Sequence, residues 1–106
     1  MTADSDKLPE ITEPLLAIGQ EVLDLAPPQY DLLLVRADFS VAGVADLHSE
    51  ARVGSEVIPL RISFDALDRF EEMRAAFEAA GQPLWTEATV TVDPAGTPKA
   101  NFTYAD

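Results

Sequence analysis

Gln29-Tyr30-Asp31-Leu32-Leu33-Leu34-Val35-Arg36-Ala37-Asp38-Phe39-Ser40 is the stretch that decides the fold. Leu33, Val35, Ala37 and Phe39 form an apolar row. Tyr30, Leu32, Leu34, Arg36 and Asp38 form a mixed one. A period of two with one dry row is the signature of a strand buried on one side. Such a face needs a second layer to cover it, and the segments on either side supply the candidates.

Toward the N-terminus, Pro27-Pro28 stops whatever precedes it. Ile11, Leu15, Ile18, Val22 and Leu25 recur at helical spacing, widened by Leu16, Gly19 and Leu23. Glu13, Gln20, Glu21 and Asp24 take the other side. An amphipathic helix is expected from Pro9 or Thr12 to about Ala26. Pro14 fits only its first turn, which places the start near Thr12. Residues 1–8 read as a polar N-terminal tail ahead of a single domain over 9–106.

Toward the C-terminus, a turn over Ser40 to Gly43 leads to Val44–Val53. There Ala45, Leu47, Ala51 and Val53 alternate with Asp46, His48, Glu50 and Arg52. Gly54-Ser55 is a hairpin turn, and Glu56–Ile62 is a third strand that Pro59 makes either an edge or locally bulged. Ser63 or Asp65 caps a second helix running to about Ala80, where Gly81 and Pro83 end it. Its buried stripe is Ala66, Phe70, Met73 and Phe77, and Asp65, Asp68, Glu71, Glu72 and Glu78 occupy the opposite arc. Strands over Leu84–Val92 and Lys99–Tyr104 flank the turn Asp93-Pro94-Ala95-Gly96. The expectation is an α+β domain of order α-β-β-β-α-β-β: a three-stranded meander and a C-terminal hairpin in one antiparallel sheet, with both helices on one face.

Composition narrows function. The chain has 106 residues, 19 acidic and 7 basic side chains, a net charge of −12 and no cysteine. Disulfides, thiolate metal sites and thiol catalysis are excluded. Two lysines in all cannot build a phosphate-binding surface, so nucleic acid and anionic lipid are disfavoured as partners, whereas basic proteins are attracted. Neither an apolar run of membrane length nor a secretory leader is read from the sequence, and a cytoplasmic location is the expectation.

Few residues suggest chemistry. Asp46, His48 and Glu50 share one strand face, but Asp46 and Glu50 stand about 13 Å apart, too far to converge on one metal ion. His48 has no companion nucleophile, and the glycines are scattered singly rather than gathered in a phosphate loop. Glu71 and Glu72 diverge by about 100° on their helix. No catalytic residue, cofactor or metal is expected. Trp85, grouped by alternation with Glu87, Thr89 and Thr91, reads as half-exposed: either a residue packing the sheet edge or an anchor for a partner. Phe102 and Tyr104 share one side of the last strand and are expected in the core.

Ala26-Pro27-Pro28-Gln29-Tyr30, Asp31 through Ala37, Val57-Ile58-Pro59-Leu60, Leu84-Trp85-Thr86-Glu87-Ala88-Thr89-Val90-Thr91-Val92-Asp93 and Asn101-Phe102-Thr103-Tyr104 together resemble the YezG-type immunity (antitoxin) proteins of bacterial polymorphic toxin systems. The likeness spans roughly Leu15 to Tyr104. It implies a non-enzymatic protein that binds and neutralises a cognate secreted toxin, commonly a nuclease, by occlusion. The surface expected to do so is Asp65, Asp68, Glu71 and Glu72, with Asp46, His48 and Glu50 as a second candidate and Trp85 as a possible anchor. The protein itself is expected to be a monomer or a weak homo-oligomer. A non-catalytic adaptor, or a module that self-associates through an edge strand, is the alternative.

Overall fold

The computed structural model describes residues 10–41 and 44–104. The tail assigned to residues 1–8 and half of the Ser40–Gly43 turn lie outside them. The elements are α1 (Thr12–Asp24), β1 (Leu32–Val41), β2 (Val44–Val53), β3 (Glu56–Pro59), α2 (Asp65–Ala79), β4 (Glu87–Val92) and β5 (Pro98–Thr103). The strands form one antiparallel sheet in the order β3-β2-β1-β4-β5. The expected α+β architecture is the observed one.

The deciding stretch becomes β1 at the centre of the sheet. Its dry row, Leu33, Val35 and Ala37, is fully buried and joined by Ala51 from β2 and Ala88, Val90 and Val92 from β4. Ile18 and Val22 of α1 cover this face with Ala66, Phe70, Met73 and Phe77 of α2, the stripe expected from spacing. Each large side chain taken from water here contributes about 1.5–3 kcal/mol. The opposite face carries Leu32, Leu34, Arg36, Asp46, His48, Glu50, Thr89, Thr91, Lys99 and Asn101, and neither helix covers it.

Element ends move for local reasons. After Pro27-Pro28, Gln29 takes a left-handed φ of 60°, so the chain enters the sheet only at Leu32, three residues later than Gln29. Tyr30 uses that detour to donate its hydroxyl to the Asp93 carbonyl at 2.7 Å. β3 stops at Pro59 rather than Ile62. Leu60 still donates its N–H to the Ser49 carbonyl, and beyond it the buried Ser49 hydroxyl serves both the Leu60 carbonyl and the Ile62 N–H. Ser63 supplies its hydroxyl to the Asp65 N–H at 3.1 Å, so it serves the first turn of α2 although Phe64 holds the cap position.

Two aromatic placements are corrected. Trp85 is not half-exposed on the polar side of β4: its exposure is 0%. Regular pairing begins at Glu87, opposite Thr103, yet the Thr86 N–H also bonds the Thr103 carbonyl, so two residues oppose one. That irregularity breaks the alternation and turns the indole into the core. There it meets Phe39, Phe77 and Phe102, with ring centroids 5.7, 6.3 and 5.3 Å away. Tyr104, expected in the core, is 44% exposed because pairing ends at Thr103.

The end of α2 is set by one glycine. Gln82 N–H bonds the Phe77 carbonyl and Gly81 N–H the Glu78 carbonyl, with Gly81 at φ 72°. This paired closure needs a left-handed residue, which costs any side chain about 1–2 kcal/mol. Gly81→Ala is expected to lower stability by about 1 kcal/mol in urea unfolding, with its slope against denaturant unchanged.

Candidate functional site

The helical layer concentrates negative charge. Asp65, Asp68, Glu71, Glu72 and Glu78 of α2 are all exposed, as are Glu13 and Asp24 of α1, while Glu21 is half-buried where the helices meet. The basic residues described on these two helices are Arg69 and Arg74, and neither neutralises the stripe. Arg69 is held by Glu72 at 2.8 Å. Arg74 turns inward, its guanidinium 5.1 Å from the Phe39 ring centre and 5.6 Å from that of Trp85, a cation–π arrangement. Asp65, Asp68, Glu71 and Glu78 therefore have no ion-pair partner among the described residues.

Helix electrostatics accounts for only part of this pattern. Asp65 and Asp68 lie in the first turn of α2, where the macrodipole stabilises carboxylates. Glu78 and Asp24 lie in the last turns of their helices, where it opposes them, and neither last turn has a basic residue. Partial burial pushes the Glu21 carboxyl above its ordinary range, and Asp65 across the helix seam raises it further. The acidic surface thus runs continuously from α2 onto α1 and carries an internal electrostatic cost.

Asp46, His48 and Glu50 lie on the other layer, on the uncovered face of β2, so the two groups of candidate residues do not come together. His48 and Glu50 do meet: Nε2 stands 2.7 Å from Oε1, and the other Glu50 oxygen accepts from Arg52 Nε at 3.0 Å. Asp46 stands apart, opposite Asp38. Among the described residues no group of three His, Asp or Glu side chains is placed to hold a metal ion.

Glu50, only 12% exposed, is already engaged on both oxygens. The hydrogen bonds from His48 and then Arg52 hold its carboxyl below the usual 4.5. A lowered value means that the stabilisation is present above pH 4.5 and is lost as pH falls through the folded-state value. Glu50→Gln is accordingly expected to lower stability at pH 7 and to lose that difference as the pH drops to about 3, read from urea midpoints across the range.

Trp85, the third candidate, is sealed in the core and has no surface with which to anchor a partner. Sequence reasoning missed the exposed aromatic that is present. Phe64, 74% exposed, immediately precedes Asp65 at the start of α2 and lies one helical turn from Asp68. Its signal was available: Phe64 falls outside the Ala66, Phe70, Met73, Phe77 spacing, so no core position claims it.

No family model and no curated protein matches the chain.

Proposed function

We propose that this protein is a YezG-type immunity protein, which binds a basic toxin domain and neutralises it by occupying its surface. The observation that carries the reading is the row of uncompensated carboxylates along α2, continued by Glu21 and Asp24 on α1. A nuclease must present positive charge to its substrate, and an acidic surface competes for that charge. Long-range attraction accelerates encounter, while Phe64 beside Asp65 supplies the apolar contact that electrostatics alone does not. Turnover plays no part in this mechanism: inhibition lasts as long as the complex.

The resemblance set out from Leu84–Asp93 and Asn101–Tyr104 supports the same reading. No helix among the described residues is long and apolar enough to cross a membrane. The experiment is co-expression with the product of the adjacent reading frame. Suppressed lethality together with a purified complex is the expected result. A frame product that stays lethal and never co-purifies would refute the assignment.

A further inference from the structure

We propose that β5 is the seam of a homodimer, pairing antiparallel with β5 of a second copy about a two-fold axis at Asn101. The inference is independent of the toxin-binding surface and starts from the sheet edges. β3 and β5 are the outer strands. The bond from Leu60 N–H to the Ser49 carbonyl sets the alternation on β3, leaving the backbone groups of Val57 and Pro59 facing outward. Pro59 has no N–H, so that edge is blunted.

The β5 edge is different. The bonds from Phe39 N–H to the Thr86 carbonyl and from Asp93 N–H to the Thr97 carbonyl fix the ladder from both sides of β4. Lys99, Asn101 and Thr103 direct their backbone groups to β4. Ala100 and Phe102 direct theirs away from the sheet, and Pro98 presents a carbonyl. An axis at Asn101 sets Ala100 opposite Phe102 of the second copy, so every one of these N–H groups finds a carbonyl. It also sets Lys99 opposite Thr103 and Pro98 opposite Tyr104. The one N–H missing on this edge is that of Pro98, at the end of the seam, where only the Tyr104 carbonyl of the second copy goes without a donor.

Charge and shape favour the same occupant. A second copy also carries −12 and is repelled by most of this surface, yet Pro98 to Tyr104 contains Lys99 and no carboxylate. Glu87, which also pairs with Arg36 at 3.6 Å, is the neighbour of Thr103 on β4, one strand beyond Lys99 of the second copy and opposite to it in sign. On the helix-covered side, a groove lined by Leu16, Gly19, Leu23, Gly96 and Pro98 runs beside the edge. Gly19 keeps α1 close to it, since a Cβ there would stand 3.1 Å from that of Pro98. Leu16 is 54% exposed and Tyr104 is 44% exposed in the single chain. Opposite Pro98, Tyr104 of the second copy enters this groove, covering both.

Sedimentation equilibrium and disulfide trapping test the seam. Asn101 faces its own copy across a non-hydrogen-bonded pair, where Cα atoms lie about 4.5 Å apart, within disulfide range. The chain has no cysteine of its own, so Asn101→Cys is read without background. It is expected to cross-link under mild oxidation far faster than Lys99→Cys, whose copies lie about 13 Å apart in this register. Ala100→Pro removes an outward N–H that the single chain does not use, and is expected to weaken dimerisation about tenfold or more with the circular dichroism unchanged. Added salt should tighten the dimer by screening the net charge. A protein monomeric at every concentration overturns the proposal, whether its edge is bare or taken by another protein's strand. So does a dimer that Ala100→Pro leaves intact and Asn101→Cys fails to trap.

Discussion

Trp85→Ala is expected to cost about 4 kcal/mol, a large fraction of the roughly 5–15 kcal/mol that holds a domain of this size together. The indole is fully buried and touches Phe39 of β1, Phe77 of α2 and Phe102 of β5, so it joins both ends of the β1-β4-β5 half of the sheet to the helical layer. Truncation leaves a cavity that three aromatic rings from separate elements cannot close, and it removes one of the two rings under Arg74. The measurement is the urea midpoint followed by far-ultraviolet circular dichroism, because the chain's one tryptophan is itself the fluorophore. Trp85→Phe separates ring packing from the polar atom. The indole N–H has no acceptor among the described residues, a cost that phenylalanine does not carry. The Phe variant should therefore retain most of the stability that Ala loses. Equal losses for the two would contradict the packing described.

Charge reversal on α2 is expected to have the largest effect on binding. Asp68→Lys with Glu71→Lys replaces two exposed, unpaired carboxylates. Folding stability should change by no more than about 1 kcal/mol, because Asp68 gives up a favourable place in the first turn of α2 while repulsion along the acidic arc is relieved. Affinity for the proposed basic partner should fall about 100-fold, chiefly through slower association, since the lost attraction acts before contact. Asp46→Lys adds the same kind of charge on the opposite layer and is expected to leave that affinity unchanged. The pair of results separates the two surfaces that the sequence nominates. Stopped-flow association rates of the variants give the reading, and a loss confined to Asp46→Lys would move the interface to the uncovered sheet face.

The features legible in the sequence are those fixed by period and by strong local chemistry. The alternation in Leu33, Val35 and Ala37 located a strand with one dry face, the spacing of Ala66, Phe70, Met73 and Phe77 located the covered face of α2, and Pro59 narrowed its strand to an edge or a bulge, of which the edge is observed. What escaped was set by single residues that interrupt a period. Gln29 at positive φ delays β1, and the Thr86–Glu87 irregularity opposite Thr103 rotates Trp85 inward, reversing its expected exposure. Neither event has a signature in composition. The acidic arc of α2 was readable as an arc. Its extension onto α1 was not, because the nearness of Glu21 to Asp65 depends on how two helices pack. The inward turn of Arg74 onto Phe39 and Trp85, which leaves Glu71 and Glu78 unpaired, is likewise a tertiary fact.

Titration of the intact protein against the product of the adjacent reading frame, repeated as salt is raised from about 50 to 500 mM, probes the binding mechanism most directly. An acidic surface holding a basic one should lose about tenfold or more in affinity over that range, and toxin activity should return in step with dissociation. Affinity that is indifferent to salt, or toxin activity that recovers while the complex persists, would contradict it.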